Sequence, residues 1–146
     1  MNESAAGAFR MEPIIVWHFL ICRRASYDLA DPVAPYSLHN VVFQLRPEPG
    51  ETYPLPGMDL WAFVRLEGED EHEFWVDVVR LTDDDEYEED SVTTYGPLIV
   101  PFGDNRRPLS RAWYLRRVPF PIPGRYQFRL RQGDEMLAVE TVYLED

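Results

Sequence analysis

From Leu60 to Leu66 and again from His72 to Val78 the chain alternates with a period of two. Leu60, Ala62, Val64 and Leu66 share one parity, and so do His72, Phe74, Val76 and Val78; the opposite parity holds Trp61, Phe63 and Arg65, then Glu73, Trp75 and Asp77. Successive side chains of a strand point to opposite faces of a sheet, so this pattern is that of half-buried strands. It returns near the C-terminus, where Tyr126, Phe128 and Leu130 interleave with Arg125, Gln127, Arg129 and Arg131. No segment of useful length carries a helical period, and thirteen prolines in 146 residues interrupt the chain too often for long helices. The expectation is an all-β chain: an antiparallel β-sandwich of seven to eight strands with immunoglobulin-like connections. At 45% hydrophobic and 14% aromatic, 146 residues can bury one real core. A single domain over residues 13–146 follows, preceded by a disordered leader at 1–12 that has no apolar period.

The apolar run 14–22, rich in β-branched and aromatic residues, reads as a central strand, and at nine residues it is far too short to span a bilayer. Residues 23–35 read as a polar connection, 36–46 as a partly alternating strand and 47–59 as irregular chain; further strands are expected at 91–102 and 111–118. Two hairpin registers can be written down. A turn at Gly68-Glu69-Asp70 sets Arg65 opposite Glu73 and Phe63 opposite Trp75, matching charge with charge and ring with ring. Gly133-Asp134 has glycine first, the preference of a two-residue type II′ turn. It sets Leu130 opposite Leu137, Phe128 opposite Val139 and Tyr126 opposite Thr141.

Charge is distributed unevenly. The chain carries 26 acidic and 14 basic residues, a net charge of -12, and every basic residue is an arginine. The window 67–90 holds thirteen carboxylates and one arginine, which is the whole net charge; the window 106–131 holds eight arginines and no carboxylate. The absence of lysine excludes Schiff-base chemistry. A net charge of -12 opposes nucleic-acid binding, and no segment reads as a membrane span. The lone Cys22 excludes an intrachain disulfide and a multi-cysteine zinc site, and agrees with a cytoplasmic location.

Catalytic constellations are absent from the pattern. There is no Gly-x-Ser-x-Gly elbow, and Cys22 with His18 or His39 reads as a packed thiol rather than a dyad. The three histidines lack paired zinc spacing. Asp83 and Asp85, in the run Asp83-Asp84-Asp85-Glu86, are the candidate calcium ligands, but the run lacks the glycine of an EF-hand loop and reads as a solvated acidic loop. No cofactor is expected. What remains is surface. Trp61, Phe63 and Trp75 lie on the outward parity as an aromatic platform, and Arg125, Arg129 and Arg131 form an outward arginine face. Together they suggest a non-enzymatic sandwich acting through contacts with a protein partner or with itself. The alternatives are a carbohydrate- or small-ligand-binding module using the outward aromatics, or a calcium-binding loop domain.

The segments FLICRRASYD and PYSLHNVVFQL near the start, LWAFVRLEG in the middle, and VPFPIPGRYQFRL with LAVETVYL at the end carry a resemblance. At Leu20 to Cys22, Ser37-Leu38 and Pro121 to Leu130 the chain resembles a bacterial all-β domain family of unknown function. The resemblance covers about residues 14–144, with departures in the acidic insertion at 83–90 and in the length of 23–35. It implies a β-sandwich and supplies no catalytic residue.

Overall fold

The computed structural model describes residues 13–31, 35–82 and 89–146, which form nine strands and no helix. One sheet contains β1 (Ile15–Tyr27), β2 (Tyr36–Val41), β4 (Leu55–Gly68) and β7 (Arg107–Phe120), in the order β2-β1-β4-β7. The other contains β3 (Gln44–Leu45), β5 (Glu71–Leu81), β6 (Glu89–Pro101), β8 (Gly124–Gln132) and β9 (Glu135–Leu144), in the order β3-β9-β8-β5-β6. All pairings are antiparallel except the short parallel contact of β3 with β9. The two sheets face one another as a β-sandwich, and the alternation read from the sequence becomes burial. Leu60, Ala62, Val64 and Leu66 of the first sheet meet Phe74, Val76, Val78, Tyr126, Phe128 and Leu130 of the second in one continuous core.

The connections are immunoglobulin-like. β5, β8 and β9 are neighbours with β6 outside β5, β4 lies beside β7, and the chain changes sheet after β2, β3, β4, β6 and β7. At the β7–β8 corner the fully buried Tyr126 turns its hydroxyl back four residues and donates to the carbonyl of Ile122. This is the tyrosine corner of such sandwiches. It holds the chain as it crosses between sheets, and the Phe120 ring packs edge-on against Tyr126 at 5.0 Å.

Two registers differ from expectation. β4 and β5 do not form a hairpin, because the turn after Gly68 carries the chain from one sheet to the other. Asp70, with φ of 63°, donates its amide to Gly103 (2.7 Å) and accepts from the Phe102 amide (2.7 Å), so the crossing is pinned to the chain leaving β6. Phe63 therefore lies opposite Leu20 and Ala112, not Trp75, and Arg65 opposite His18 and Ser110, not Glu73. Parity holds while the partner differs: both apolar sets face the core, but from opposite sheets.

The Gly133-Asp134 turn forms as expected, with φ of +56° at Gly133 and Gln132 opposite Glu135. Beyond it a bulge at Leu137 shifts the ladder by one residue. Leu130 then faces Ala138, Phe128 faces Glu140 rather than Val139, and Tyr126 faces Val142. A one-residue shift inverts every later side chain. Val142 and Leu144 therefore enter the core, Val139 turns out, and Glu140 is brought half-buried onto the inner side.

The first strand runs on to Tyr27, through the start of the expected connection 23–35. The expected strand 36–46 splits, with β2 in the first sheet and, past Asn40 at φ of 57°, β3 in the second. The leader 1–12 and the candidate ligands Asp83 and Asp85 lie outside the described residues.

Candidate functional site

The outer face of the first sheet presents Leu20 of β1, Phe63 and Arg65 of β4, and Ser110 and Ala112 of β7 as cross-strand neighbours. The β1–β2 ribbon covers part of this face. Although β2 is separated from β7 by two strands, the Tyr36 hydroxyl donates to the Ser110 carbonyl of β7 at 2.9 Å. The Tyr36 ring meets Phe63 edge-on at 5.3 Å and Tyr27 at 4.7 Å. The end of the ribbon is thus folded back across β4, which explains why Phe63 is buried despite its outward parity.

Between ribbon and sheet runs a cleft of about 430 Å³. Tyr27, Tyr36 and Phe63 form its aromatic wall, Pro35, Pro108 and Leu109 are apolar neighbours, and His18, Arg65 and Arg111 supply basic groups. Arg65 donates from Nη1 to the Ser110 hydroxyl (2.8 Å), and Arg111 donates from Nη1 to the Ser110 carbonyl (2.8 Å). Arg111 lies opposite core-facing Val64, but β7 is an edge strand, and Arg111 and the Tyr36 hydroxyl both donate to the Ser110 carbonyl. Burial pushes the Tyr36 hydroxyl up, while the charge of Arg111 pulls it the other way. Among the described residues no carboxylate lines the cleft.

Five other arginines are paired, while Arg23, Arg24, Arg107, Arg116, Arg117 and Arg125, like Arg65 and Arg111, make no ion pair among the described residues. Arg106 pairs with Glu67 (2.8 Å), Arg131 with Asp77 (2.6 Å), Arg129 with Glu89 (2.7 Å), Arg80 with Asp90 (3.8 Å) and Arg46 with Glu145 (2.7 Å). Four of these five pairs use an acid of the window 67–90, and three of the four, at Glu67, Asp77 and Glu89, join it to an arginine of the window 106–131, the Arg129–Glu89 pair reaching across β5 from β8 to β6. Arg65 and Arg111 make no ion pair among the described residues. Glu67, two positions from Arg65, is already held by Arg106 and by the Trp17 indole at 3.2 Å.

The aromatic platform expected from parity is divided by the fold. Trp61 lies outward on the first sheet against Tyr114 (5.1 Å), and Phe63 lies under Tyr36. Trp75 is on the outer face of the second sheet, beneath the Arg131 guanidinium at 5.2 Å. It also abuts Gly96 so closely that a Cβ there would sit 2.5 Å from the indole. These rings cannot act as one stacking surface. Of the arginine face, Arg129 and Arg131 are engaged in ion pairs, and Arg125 is exposed, opposite Leu81 and Tyr143.

Cys22 is fully buried, its Sγ 3.7 Å from the Trp61 carbonyl, and burial pushes the thiol up, away from a reactive thiolate. A larger basic hollow on the ribbon, about 540 Å³, is lined by Arg23, Arg24, His39 and Asn40, with no Phe, Tyr, Trp or aliphatic residue among them. Among the described residues no three His, Cys, Asp or Glu side chains gather in a way that would hold a metal ion.

The reading from parity missed His18, Tyr27, Tyr36, Ser110, Arg65 and Arg111 as one group. Only the outward parity of Phe63 and Arg65 pointed to this face. The contact from residue 36 to residue 110 has no local signature.

No family model matches the chain, and no curated protein matches it. Among solved structures, the β-D-glucoside glucohydrolase of Trichoderma reesei aligns with a TM-score of 0.44 at 6% identity. The alignment covers 91% of this chain and 19% of that one.

Proposed function

We propose that this sandwich is a non-catalytic binding domain whose first sheet receives an acidic, aromatic-containing segment of a protein partner. One observation carries the reading. Arg65 and Arg111 converge on Ser110 beside the wall formed by Tyr27, Tyr36 and Phe63, and neither has a carboxylate partner among the described residues. Guanidinium groups so held are ready for bidentate contact with carboxylates, and the rings offer flat apolar area at small entropic cost. The Ser110 hydroxyl is bonded by Arg65 and is not part of a nucleophile–base pair, which supports binding over acyl transfer. The net charge of -12 favours a partner held by a local cationic cleft over a nucleic acid held by a broad positive field. No helix among the described residues is long and apolar enough to cross a membrane. The unpaired, buried Cys22 fits a reducing, cytoplasmic setting.

The test is binding of the full chain to a labelled random copolymer of glutamate and tyrosine, followed by fluorescence anisotropy. The Arg65→Gln, Arg111→Gln double variant should bind about tenfold more weakly, equivalent to about 1.4 kcal/mol. A lysine–tyrosine copolymer should not bind. Equal affinity of wild type and variant, or preference for the basic copolymer, would remove the cleft as the binding site.

A further inference from the structure

The chain itself supplies an acidic segment with an aromatic ring. Residues 83–88 read Asp-Asp-Asp-Glu-Tyr-Glu, five carboxylates around Tyr87. Its composition complements the cleft: carboxylates for Arg65, Arg111 and His18, and one ring for the wall of Tyr27, Tyr36 and Phe63. We propose that the cleft takes residues 83–88 of a second copy, so that copies associate head to tail. This rests on the reading of the cleft given above and names its occupant.

Geometry separates the cleft from the same copy's acidic segment. β4 ends at Gly68, and β5 starts at Glu71 after a two-residue crossing, so both lie at one end of the sandwich. Arg65 is three residues from that end. The acidic segment leaves β5 after Leu81, at the opposite end of an eleven-residue strand. At roughly 3.3 Å per residue the two levels are about 20 Å apart, and the gap between the sheets adds about 10 Å. Six residues anchored at both ends reach out only about three residues, roughly 10 Å. Both anchors are fixed in the second sheet, because Leu81 lies opposite Glu89, Glu89 pairs with Arg129 and Asp90 with Arg80. The cleft of the same copy therefore lies farther from these anchors than six residues of chain between them can span.

A donor at one end and an acceptor towards the other end make a heterologous contact. Repeating it builds open chains or a ring, not a dimer related by a twofold axis. Carboxylates meeting arginines in an open cleft form a contact that salt screens, with a Debye length falling from about 30 Å at 0.01 M to about 3 Å at 1 M.

The experiment is sedimentation velocity of the full chain over a range of concentrations at those two salt levels. Two variants accompany it: a cleft variant, Arg65→Gln with Arg111→Gln, and a segment variant, Asp83→Asn, Asp84→Asn, Asp85→Asn, Glu86→Gln and Glu88→Gln. Wild type should grow with concentration at low salt, beyond a dimer, and return to monomer at high salt. Each variant alone should associate at least about tenfold more weakly. An equal mixture of the two should give a one-to-one dimer and nothing larger, since each keeps one intact half. Arg111→Gln alone, with a smaller loss, replaces the double variant if the latter melts below the assay temperature. A wild type that stays monomeric at low salt, or a mixture without heterodimer, overturns the proposal. If copolymer binding survives in a monomeric wild type, the cleft still binds acidic chains and only self-docking falls; if copolymer binding is lost as well, both fall.

Discussion

Replacing Tyr126 by phenylalanine removes one oxygen atom from the corner between β7 and β8 and leaves the packing in place. The ring is fully buried and its edge-on contact with Phe120 at 5.0 Å needs no hydroxyl. What is lost is the donation to the Ile122 carbonyl and a longer bond accepted from the Ile122 amide at 3.3 Å. Ile122 is exposed, so water can take over its freed groups, and the full penalty of orphaned buried partners does not apply. The expected loss is about 1–2 kcal/mol, near the upper range for an ordinary hydrogen bond. At about 2–4 °C per kcal/mol for a chain of this size, the melting temperature should fall by roughly 2–8 °C. Urea titration followed by tryptophan fluorescence should show a lower midpoint with an unchanged slope, because the surface exposed on unfolding is the same. Burial pushes the Tyr126 hydroxyl up, so its contribution is fully present below the ordinary tyrosine value and is lost as pH rises through the raised one. The deficit of the variant should therefore shrink in strong alkali. A variant as stable as wild type at neutral pH would show that the corner bond does not hold the β7–β8 crossing.

Three further outcomes are expected. Phe128→Ala, which empties a fully buried site in the second sheet, should cost about 3–5 kcal/mol, and a wild-type urea midpoint would contradict its place in the core. Burial pushes the Glu140 carboxyl up, so the folded state favours the neutral acid below the ordinary value of 4.5 and loses that contribution as pH rises through the raised value. Glu140→Gln should gain melting temperature relative to wild type as pH rises from 4 to 7; a difference that stays constant with pH would refute the inward placement. Arg129→Gln with Arg131→Gln should lower stability by no more than about 2 kcal/mol for the two partly exposed pairs, while copolymer binding stays unchanged. Lost binding at unchanged stability would move the site to the second sheet.

The sequence by itself determined which side of each main strand faces the core. Leu60, Val64, Phe74, Val76, Phe128 and Leu130 are all buried, because a period of two couples parity to burial whatever the neighbouring strand is. It also determined the turn at Gly133, where local backbone conformation suffices. Tertiary structure decided which strands pair. The apolar faces of β4 and β5 are equally well satisfied side by side in one sheet or face to face across two, and the choice rests on Asp70 meeting Gly103 and on β8 claiming the side of β5. The bulge at Leu137 was likewise invisible locally, yet it chose Val142 over Val139 for the core and turned Glu140 inward. The cleft belongs wholly to this second category. Tyr36 reaches Ser110 across 74 residues of sequence only because the ribbon folds over β4, and Arg65 has no carboxylate partner among the described residues while Arg106 holds Glu67. Alternation records the contrast between core and solvent at each residue, whereas a binding surface depends on which distant segments come to lie on the solvent side.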